Sequence, residues 1–353
     1  MRGGRALVVL TVILLAVLGA ALHPLAFALS ILPVDTRQLV AVLTEARVVI
    51  FNLLAWGIVG LLVVMGLFTV RGRLVRKVRQ REISSGPGTA PVGQPRIAVA
   101  VTAYNDAQAT ASTVRDFLGQ PGVIEVLVID NNSTDRTAEL AVKAGARVIH
   151  EPRQGYGYAC IRGLAEASRV PNADLVALVE GDGTFAADDL KKFLAYIGQA
   201  DMVVGNRVVR GLVEPGSQMD YFFTWGNMAV AFLLRLRFWD SQFLGVATIS
   251  DVGCTFRVIH RQALEQILPE LTVGGYHFSP HMMLVALRHQ LTLLEIPITF
   301  RRRVGRSKGA SQSIWKGLAV GSAMIWHILT FSPKPVGAAP RATLPEEVAV
   351  RPR

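Results

Sequence analysis

Two long apolar stretches without a periodic polar position stand at the head of the chain. Residues 6–22 are apolar apart from Thr11 and continue past His23-Pro24 into a second apolar run, 25–32. Residues 48–70 contain no charged side chain over 23 positions. At 1.5 Å rise per residue, 48–70 is long enough for a hydrocarbon core of about 30 Å, and the pattern predicts a transmembrane helix. The first run fits a retained helix. With Arg2 and Arg5 ahead of it and Ala26-Phe27-Ala28 near its end, it also fits a cleaved signal peptide. Residues 82–95 are rich in Gly, Pro and Ser and read as a linker.

From residue 96 the pattern changes to short apolar strands alternating with amphipathic segments. Strands are expected at 97–103, 123–130, 146–150, 174–180 and 201–205. Helices are expected at 107–119, 134–145, 157–168 and 187–197. This alternation predicts an α/β domain with a mainly parallel sheet covered by helices on both faces. Two later apolar stretches are ambiguous. Residues 221–238 suit a membrane-facing helix or a buried one. Residues 314–331 hold Lys316 and His327 inside and Trp315 and Trp326 along their length, which suits an interfacial helix, with a spanning or core helix as alternatives. Residues 333–353 carry several prolines and no apolar period, and read as a disordered tail. The expected organisation is therefore a membrane hairpin with its basic segment (1–81), a linker (82–95), the α/β domain (96–312), a membrane-associated helix (313–332) and a tail.

Composition sharpens this picture. The chain has 353 residues, 51% hydrophobic and only 18% charged, yet a net charge of +11; its mean hydropathy is +0.38. Such apolarity excludes a disordered basic protein and an ordinary soluble nucleic-acid binder. Most of the chain lacks the long apolar runs of a polytopic transporter. The charge is local: residues 71–81 carry six Lys/Arg and residues 301–308 carry five, neither with an acid, and together they equal the whole excess. Arg2, Arg5 and the 71–81 cluster place both ends of the hairpin, and everything after it, on the cytoplasmic side of the cell membrane. The same cluster can meet anionic headgroups. No recognition helix or aromatic RNA platform accompanies the basic residues, so nucleic acid is not an expected partner. The two cysteines, Cys160 and Cys254, build neither a disulfide framework nor a zinc site.

In open α/β sheets, ligands bind beyond the carboxyl ends of the strands. A polar motif follows each predicted strand: Tyr104-Asn105-Asp106; Asp130-Asn131-Asn132-Ser133; the run around Gly155 and Gly157; Glu180-Gly181-Asp182; and Asn206-Arg207. Any one of them could be a helix cap or a plain turn. Five at successive strand ends point to a binding rim.

Over residues 96–310 this series resembles the family 2 glycosyltransferases of the GT-A fold, in particular the polyprenyl-phosphate branch similar to dolichol-phosphate mannose synthase. The resemblance implies that Tyr104, Asn105, Asp106 and Asp130, with Asn132 and Ser133, hold the nucleotide, and that the loop with Gly155 and Gly157 lies against it. It implies a Mg²⁺ or Mn²⁺ ion held by Asp182, with Glu180 standing where relatives carry the first Asp of Asp-x-Asp. Such an ion would stabilise the leaving diphosphate. Asp251 to Arg257 resembles the acceptor segment of that branch, which makes Asp251 a catalytic candidate and Arg257 an acceptor contact. Arg303, Ser307 and Lys308 match its basic phosphate loop, and Arg207 is a further phosphate candidate. At His281 the sequence departs from relatives, which often carry an acid nearby. The Gln-x-x-Arg-Trp motif of processive synthases is absent.

The expectation is thus a membrane-bound inverting glycosyltransferase. It would move a sugar from a UDP- or GDP-linked donor to a polyprenyl phosphate. Two alternatives stand beside it: transfer to a lipid hydroxyl, with Asp251 as the base such an acceptor needs, and a non-catalytic, membrane-anchored nucleotide-binding protein.

Overall fold

The structure, a computed structural model, describes residue 52 and residues 95–238, 249–305 and 313–332. The expected hairpin, most of the linker, Ser307, Lys308 and the tail lie outside the described residues.

Strand β1 (Ile97–Ala103) is buried at every position. Successive side chains of a strand point to opposite faces, so this burial means that both faces of the sheet are covered there. Around β1 lie β2 (Val123–Asp130), β3 (Arg147–His150), β4 (Leu175–Glu180), β5 (Met202–Asn206), β6 (Arg257–His260) and β7 (Leu293–Pro297), in the order β3-β2-β1-β4-β6-β5-β7. The first five strands fall where the apolar runs predicted them. Strands β6 and β7 were not predicted. β6 is antiparallel to both β4 and β5, and the remaining pairs are parallel. The sheet is therefore mixed, with one reversed strand inserted between β4 and β5.

This reversal matters for function. Register aligns Ala103 with Asp130 and Thr102 with Glu180, so the carboxyl ends of β1, β2 and β4 share one rim. A parallel strand ends at that rim, whereas β6 begins there: Arg257, its first residue, pairs with Leu178 and Val204. The segment Asp251–Phe256 is delivered to the rim because β6 runs backwards.

Helices α1 (Thr110–Leu118), α2 (Thr137–Lys143), α3 (Tyr156–Ser168) and α4 (Leu190–Ile197) follow β1 to β4. In α1 the buried residues Thr110, Thr113, Val114 and Phe117 recur at the spacing of one helical face. Both α1 and α2 start three residues later than the pattern predicted. The polar residues ahead of them are engaged elsewhere: Asp135 Oδ1 accepts from Thr137 N at 3.0 Å, and Thr137 Oγ1 accepts from Asp106 N at 2.8 Å. The expected 187–197 helix opens with a 3-10 turn, Ala187–Asp189.

Helix α5 (Tyr221–Arg237) lies between β5 and β6, α6 (Arg261–Ile267) and α7 (Phe278–Arg288) between β6 and β7, and α8 (Ile314–Thr330) after β7. Asp220 and Ser313 cap α5 and α8 by accepting from Phe223 N and Lys316 N. Helix α8 packs on α5 and α7. Both α5 and α8 nonetheless leave large apolar side chains in solvent, including Trp225 (66% exposed), Trp315 (81%) and Trp326 (71%). Among the described residues no helix is long and apolar enough to cross a membrane.

Two histidines, His281 of α7 and His327 of α8, join α8 to the domain. His281 Nε2 lies 3.0 Å from the Glu270 carbonyl and Nδ1 lies 2.9 Å from His327 Nε2. Thr272 N, which can only donate, also lies 3.4 Å from Nε2, so the carbonyl and the amide at this nitrogen favour opposite tautomers. Burial lowers both rings to a pKa of about 4, each also opposed by a neighbouring histidine. The unfolded chain therefore binds more protons than the folded one between about pH 6.5 and 4, and stability falls as pH drops through that window. We expect the melting temperature of the detergent-purified protein to decline over this range, and His281→Gln to flatten the decline. Superimposable pH profiles for the two proteins would contradict the assignment.

Candidate functional site

At the carboxyl rim, two loops are latched to each other. Asn105 adopts φ 52° after β1, a left-handed conformation that Asn tolerates. Its backbone N donates to Ser133 Oγ at 2.9 Å, and its Oδ1 accepts from Thr134 N at 2.7 Å. Asp130 Oδ1 accepts from Ser133 N at 3.3 Å, which closes the turn. Asn131 fastens the third loop. Its amide donates to the carbonyls of Glu151 and Arg153, and its Oδ1 accepts from Gly155 N at 2.9 Å. Asn132 donates to the Pro152 carbonyl at 3.0 Å.

The latched loops enclose a cavity of about 290 Å³, whose walls include Tyr104, Asp106, Gly155, Tyr156, Glu180, Tyr276 and Arg303. Five of these, Tyr104, Asp106, Gly155, Glu180 and Arg303, are residues the sequence singled out. Asp130, Asn132, Ser133 and Gly157 are not in the walls. Asp130, Asn132 and Ser133 shape the loops instead. Gly157 is a packing position: its N donates to the Gly274 carbonyl at 2.8 Å, and a Cβ there would come within 2.1 Å of the Val273 carbonyl oxygen. The close approach of α3 to residues 273–275 requires glycine, and that approach seats Gly275 and Tyr276 in the cavity wall, where Tyr276 stacks on Tyr156 with 5.8 Å between ring centroids.

The electrostatic centre is one arginine between two carboxylates. Arg303 donates through Nη1 to Asp182 Oδ2 at 2.8 Å and through Nη2 to Asp106 Oδ1 at 2.7 Å. Asp182 is 1% exposed. Its other oxygen accepts from Thr184 N at 3.0 Å and Thr184 Oγ1 at 2.6 Å. Burial lowers the affinity of Arg303 for its proton, but Asp182 and Asp106 more than offset this and hold its pKa above the usual value. Glu180 is held differently. Its Oε1 accepts from Thr255 Oγ1 at 2.5 Å, and Thr255 Oγ1 lies 2.6 Å from Tyr156 OH. Removal from bulk water, then the negative charge of Asp182, pushes Glu180 above the ordinary carboxylate range. Tyr156 and Thr255 were not picked out from the sequence. Their signal was position alone, one beside Gly155 and the other inside the Asp251–Arg257 segment.

A second constellation lies at the start of β6. Asp251 is fully buried and bridged by Arg207, with Nε to Oδ2 at 2.8 Å and Nη2 to Oδ1 at 2.9 Å. Arg207 N, Asn227 Nδ2 and Gly253 N also donate to this carboxylate. Burial would raise its pKa, but the Arg207 charge and hydrogen bonds outweigh that and hold it low. Glu295 supports the group by accepting from Ser250 N, Asp251 N and Asn206 Nδ2. Arg257 is 1% exposed and donates to the carbonyls of Cys254, Ser279 and Val252. The structure thus gives Arg257 a place in the frame of the site, not the acceptor contact expected of it.

The family model described as Glycosyl transferase family 2 matches residues 98–268. A dolichyl-phosphate hexose transferase of Haloferax volcanii is 31% identical over 231 residues, covering 65% of this chain and 92% of that protein. The chain belongs to glycosyl transferase family 2. A second Haloferax volcanii member, the low-salt glycan biosynthesis hexosyltransferase Agl6, is 33% identical over 52% of this chain and 41% of its own length. Glucosyl-3-phosphoglycerate synthase of Mycobacterium tuberculosis, solved with Mn²⁺, UDP-glucose and phosphoglyceric acid, has the same fold: TM-score 0.51 at 18% identity, covering 69% of this chain and 81% of that one. The domain is a GT-A α/β fold, and the chain is a glycosyltransferase.

The site fits a divalent cation in part. Carboxylate oxygens are the donors a hard cation takes, and Asp182 and Asp106 already face a shared cation, the Arg303 guanidinium. Among the described residues no group of three or more His, Cys, Asp or Glu forms a complete ligand set, so substrate oxygens would have to finish the coordination sphere. The packing role of Gly157 gives a separate test. Gly157→Ala should lower stability by about 1–3 kcal/mol, as overpacking does, and weaken nucleotide binding through residues 273–276. Unchanged denaturant midpoint and unchanged nucleotide affinity would contradict the assignment.

Proposed function

We propose that this family 2 enzyme transfers a hexose from a nucleotide-sugar to a polyprenyl phosphate at the cytoplasmic face of the cell membrane, with inversion at the anomeric carbon. The observation that carries the reading is the cavity at the strand ends, walled by Tyr104, Glu180 and Arg303, with Asp182 behind Arg303. The nucleotide would occupy it, with Tyr104, Asp106 and Gly155 against it. Asn105, Asp130, Asn132 and Ser133 act by holding the loops, and Gly157 by seating residues 273–276. Asp182, assisted by Glu180, would hold Mg²⁺ or Mn²⁺. When bound, that ion offsets charge developing on the leaving diphosphate. Arg303 and Arg207, with Ser307 and Lys308 from the same basic run, would hold phosphate oxygens.

A phosphate oxygen of the acceptor attacks the anomeric carbon, the bond to the donor diphosphate breaks, and its electron pair leaves with the nucleoside diphosphate. A lipid phosphate is mostly ionised near neutral pH and needs no strong base. Asp251 supports this acceptor over a lipid hydroxyl, because a carboxylate bridged by Arg207 and held at low pKa is a poor base. Its part is to keep Arg207 in place. The relative named dolichyl-phosphate hexose transferase points to the same acceptor class. A membrane location is supported by the exposed tryptophans of α5 and α8, which suit headgroup depth, and by residues 48–70 and 71–81.

Two outcomes test the reading. Purified protein with Mn²⁺ or Mg²⁺ and a panel of UDP- and GDP-sugars should label a short polyprenyl phosphate and leave the matching polyprenol unlabelled; labelling of the alcohol alone would replace this acceptor with a hydroxyl. Asp182→Asn should reduce transfer by at least ~100-fold with the circular dichroism of the folded protein retained, since the amide still accepts from Thr184. Full activity in this variant would remove Asp182 from the metal site.

A further inference from the structure

We propose that Arg303 is a built-in placeholder for the divalent cation, and that it makes metal and nucleotide-sugar bind as a mutually dependent pair. The inference rests on the transferase reading above and concerns how its site is loaded.

Arg303 bridges Asp182 and Asp106 with two short charge-assisted bonds, and its own Nε is buried without a hydrogen-bond partner. An unsatisfied buried donor is unfavourable. The two carboxylates are the hydrogen-bond partners of the guanidinium. The segment around Arg303 is tied by backbone contacts to the metal loop itself: Arg301 N donates to the Thr184 carbonyl, and Val304 N to the Asp182 carbonyl. Displacing the guanidinium would leave these backbone bonds in place.

Charge balance decides what can displace it. Asp106 and Asp182 already share the charge of Arg303, with Glu180 beside them. A divalent cation alone would meet the guanidinium's positive charge at the shared oxygens. The diphosphate of a sugar nucleotide alone would add two negative charges beside three carboxyl groups. Arriving together they restore the original balance, and the displaced Arg303 finds a new partner in the diphosphate, for which its planar fork is suited. Among the described residues the protein offers no complete ligand set, so the metal also needs the diphosphate oxygens. Both effects give positive coupling between the two ligands.

The experiment is Mn²⁺ binding to the full chain in detergent, followed by electron paramagnetic resonance of free Mn²⁺, with and without UDP or GDP. For the wild type, whichever nucleotide binds should tighten Mn²⁺ by at least about tenfold. Arg303→Gln should bind Mn²⁺ alone more tightly than the wild type and lose most of the coupling. Arg303→Lys, which keeps the charge and loses the fork, should keep weak binding of Mn²⁺ alone. Thermal melts check that each variant is folded, and Arg303→Lys carries the test if Arg303→Gln is not: tight binding of Mn²⁺ alone by this variant would overturn the role of the charge. Equal Mn²⁺ affinity with and without nucleotide in the wild type, or no gain in Arg303→Gln, would overturn the placeholder role while leaving the transferase reading intact. Failure of the wild type to bind any nucleoside diphosphate would overturn both.

Discussion

Two carboxylates that end up side by side out of water must share a cation, and in this protein Arg303 provides it. Asp106 follows β1 and Asp182 follows β4, adjacent strands whose register places their carboxyl ends level. Neither acid can be buried there unpaired without a large desolvation cost. The third element is the loop after β7, which reaches across the rim and delivers the guanidinium. Sheet order, strand register and the path of the late loop all converge on this one charge triad. The cavity beside it exists because the loops that carry the triad are latched to their neighbours by Asn105, Asn131 and Ser133.

The same rim joins the loop after β4 to the segment before β6. Since β6 runs against its neighbours, it starts where they end, and it brings Asp251 and Thr255 to the active edge. Thr255 hydrogen-bonds Glu180 and stands beside Tyr156. Asp251 fixes Arg207, and Glu295 fixes the backbone of Ser250 and Asp251. Glu180 therefore sits at a junction between the loop after β4 and the segment Asp251–Phe256. The extra methylene relative to Asp lets it reach Thr255 while still lining the cavity.

Much of this was legible in the sequence, for physical reasons. The buried strands β1, β2 and β4 are continuous apolar runs, and polar residues after such strands mark the ligand edge of a parallel sheet. Strand β6 was not legible because Arg257-Val258-Ile259-His260 is four residues long and begins with a charged side chain. Nothing local shows that the Arg257 guanidinium is satisfied by three backbone carbonyls. The division of labour among the polar residues was also hidden. Asp130, Asn132 and Ser133 look like ligand contacts in one dimension, while the hydrogen bonds that fasten their loops depend on tertiary approach. Gly157 is similar: the resemblance sets its loop against the nucleotide, and the constraint visible on it is the backbone of residues 273 and 274.

The most direct test of the account is a structure of the full chain with Mn²⁺ and the nucleoside diphosphate it binds. The account predicts an anomalous Mn²⁺ peak in coordination contact with Asp182 and with the diphosphate, and Arg303 turned from Asp182 to the phosphate oxygens. A nucleotide seated in the cavity with Arg303 still bridging Asp106 and Asp182, and no metal at Asp182, would contradict it.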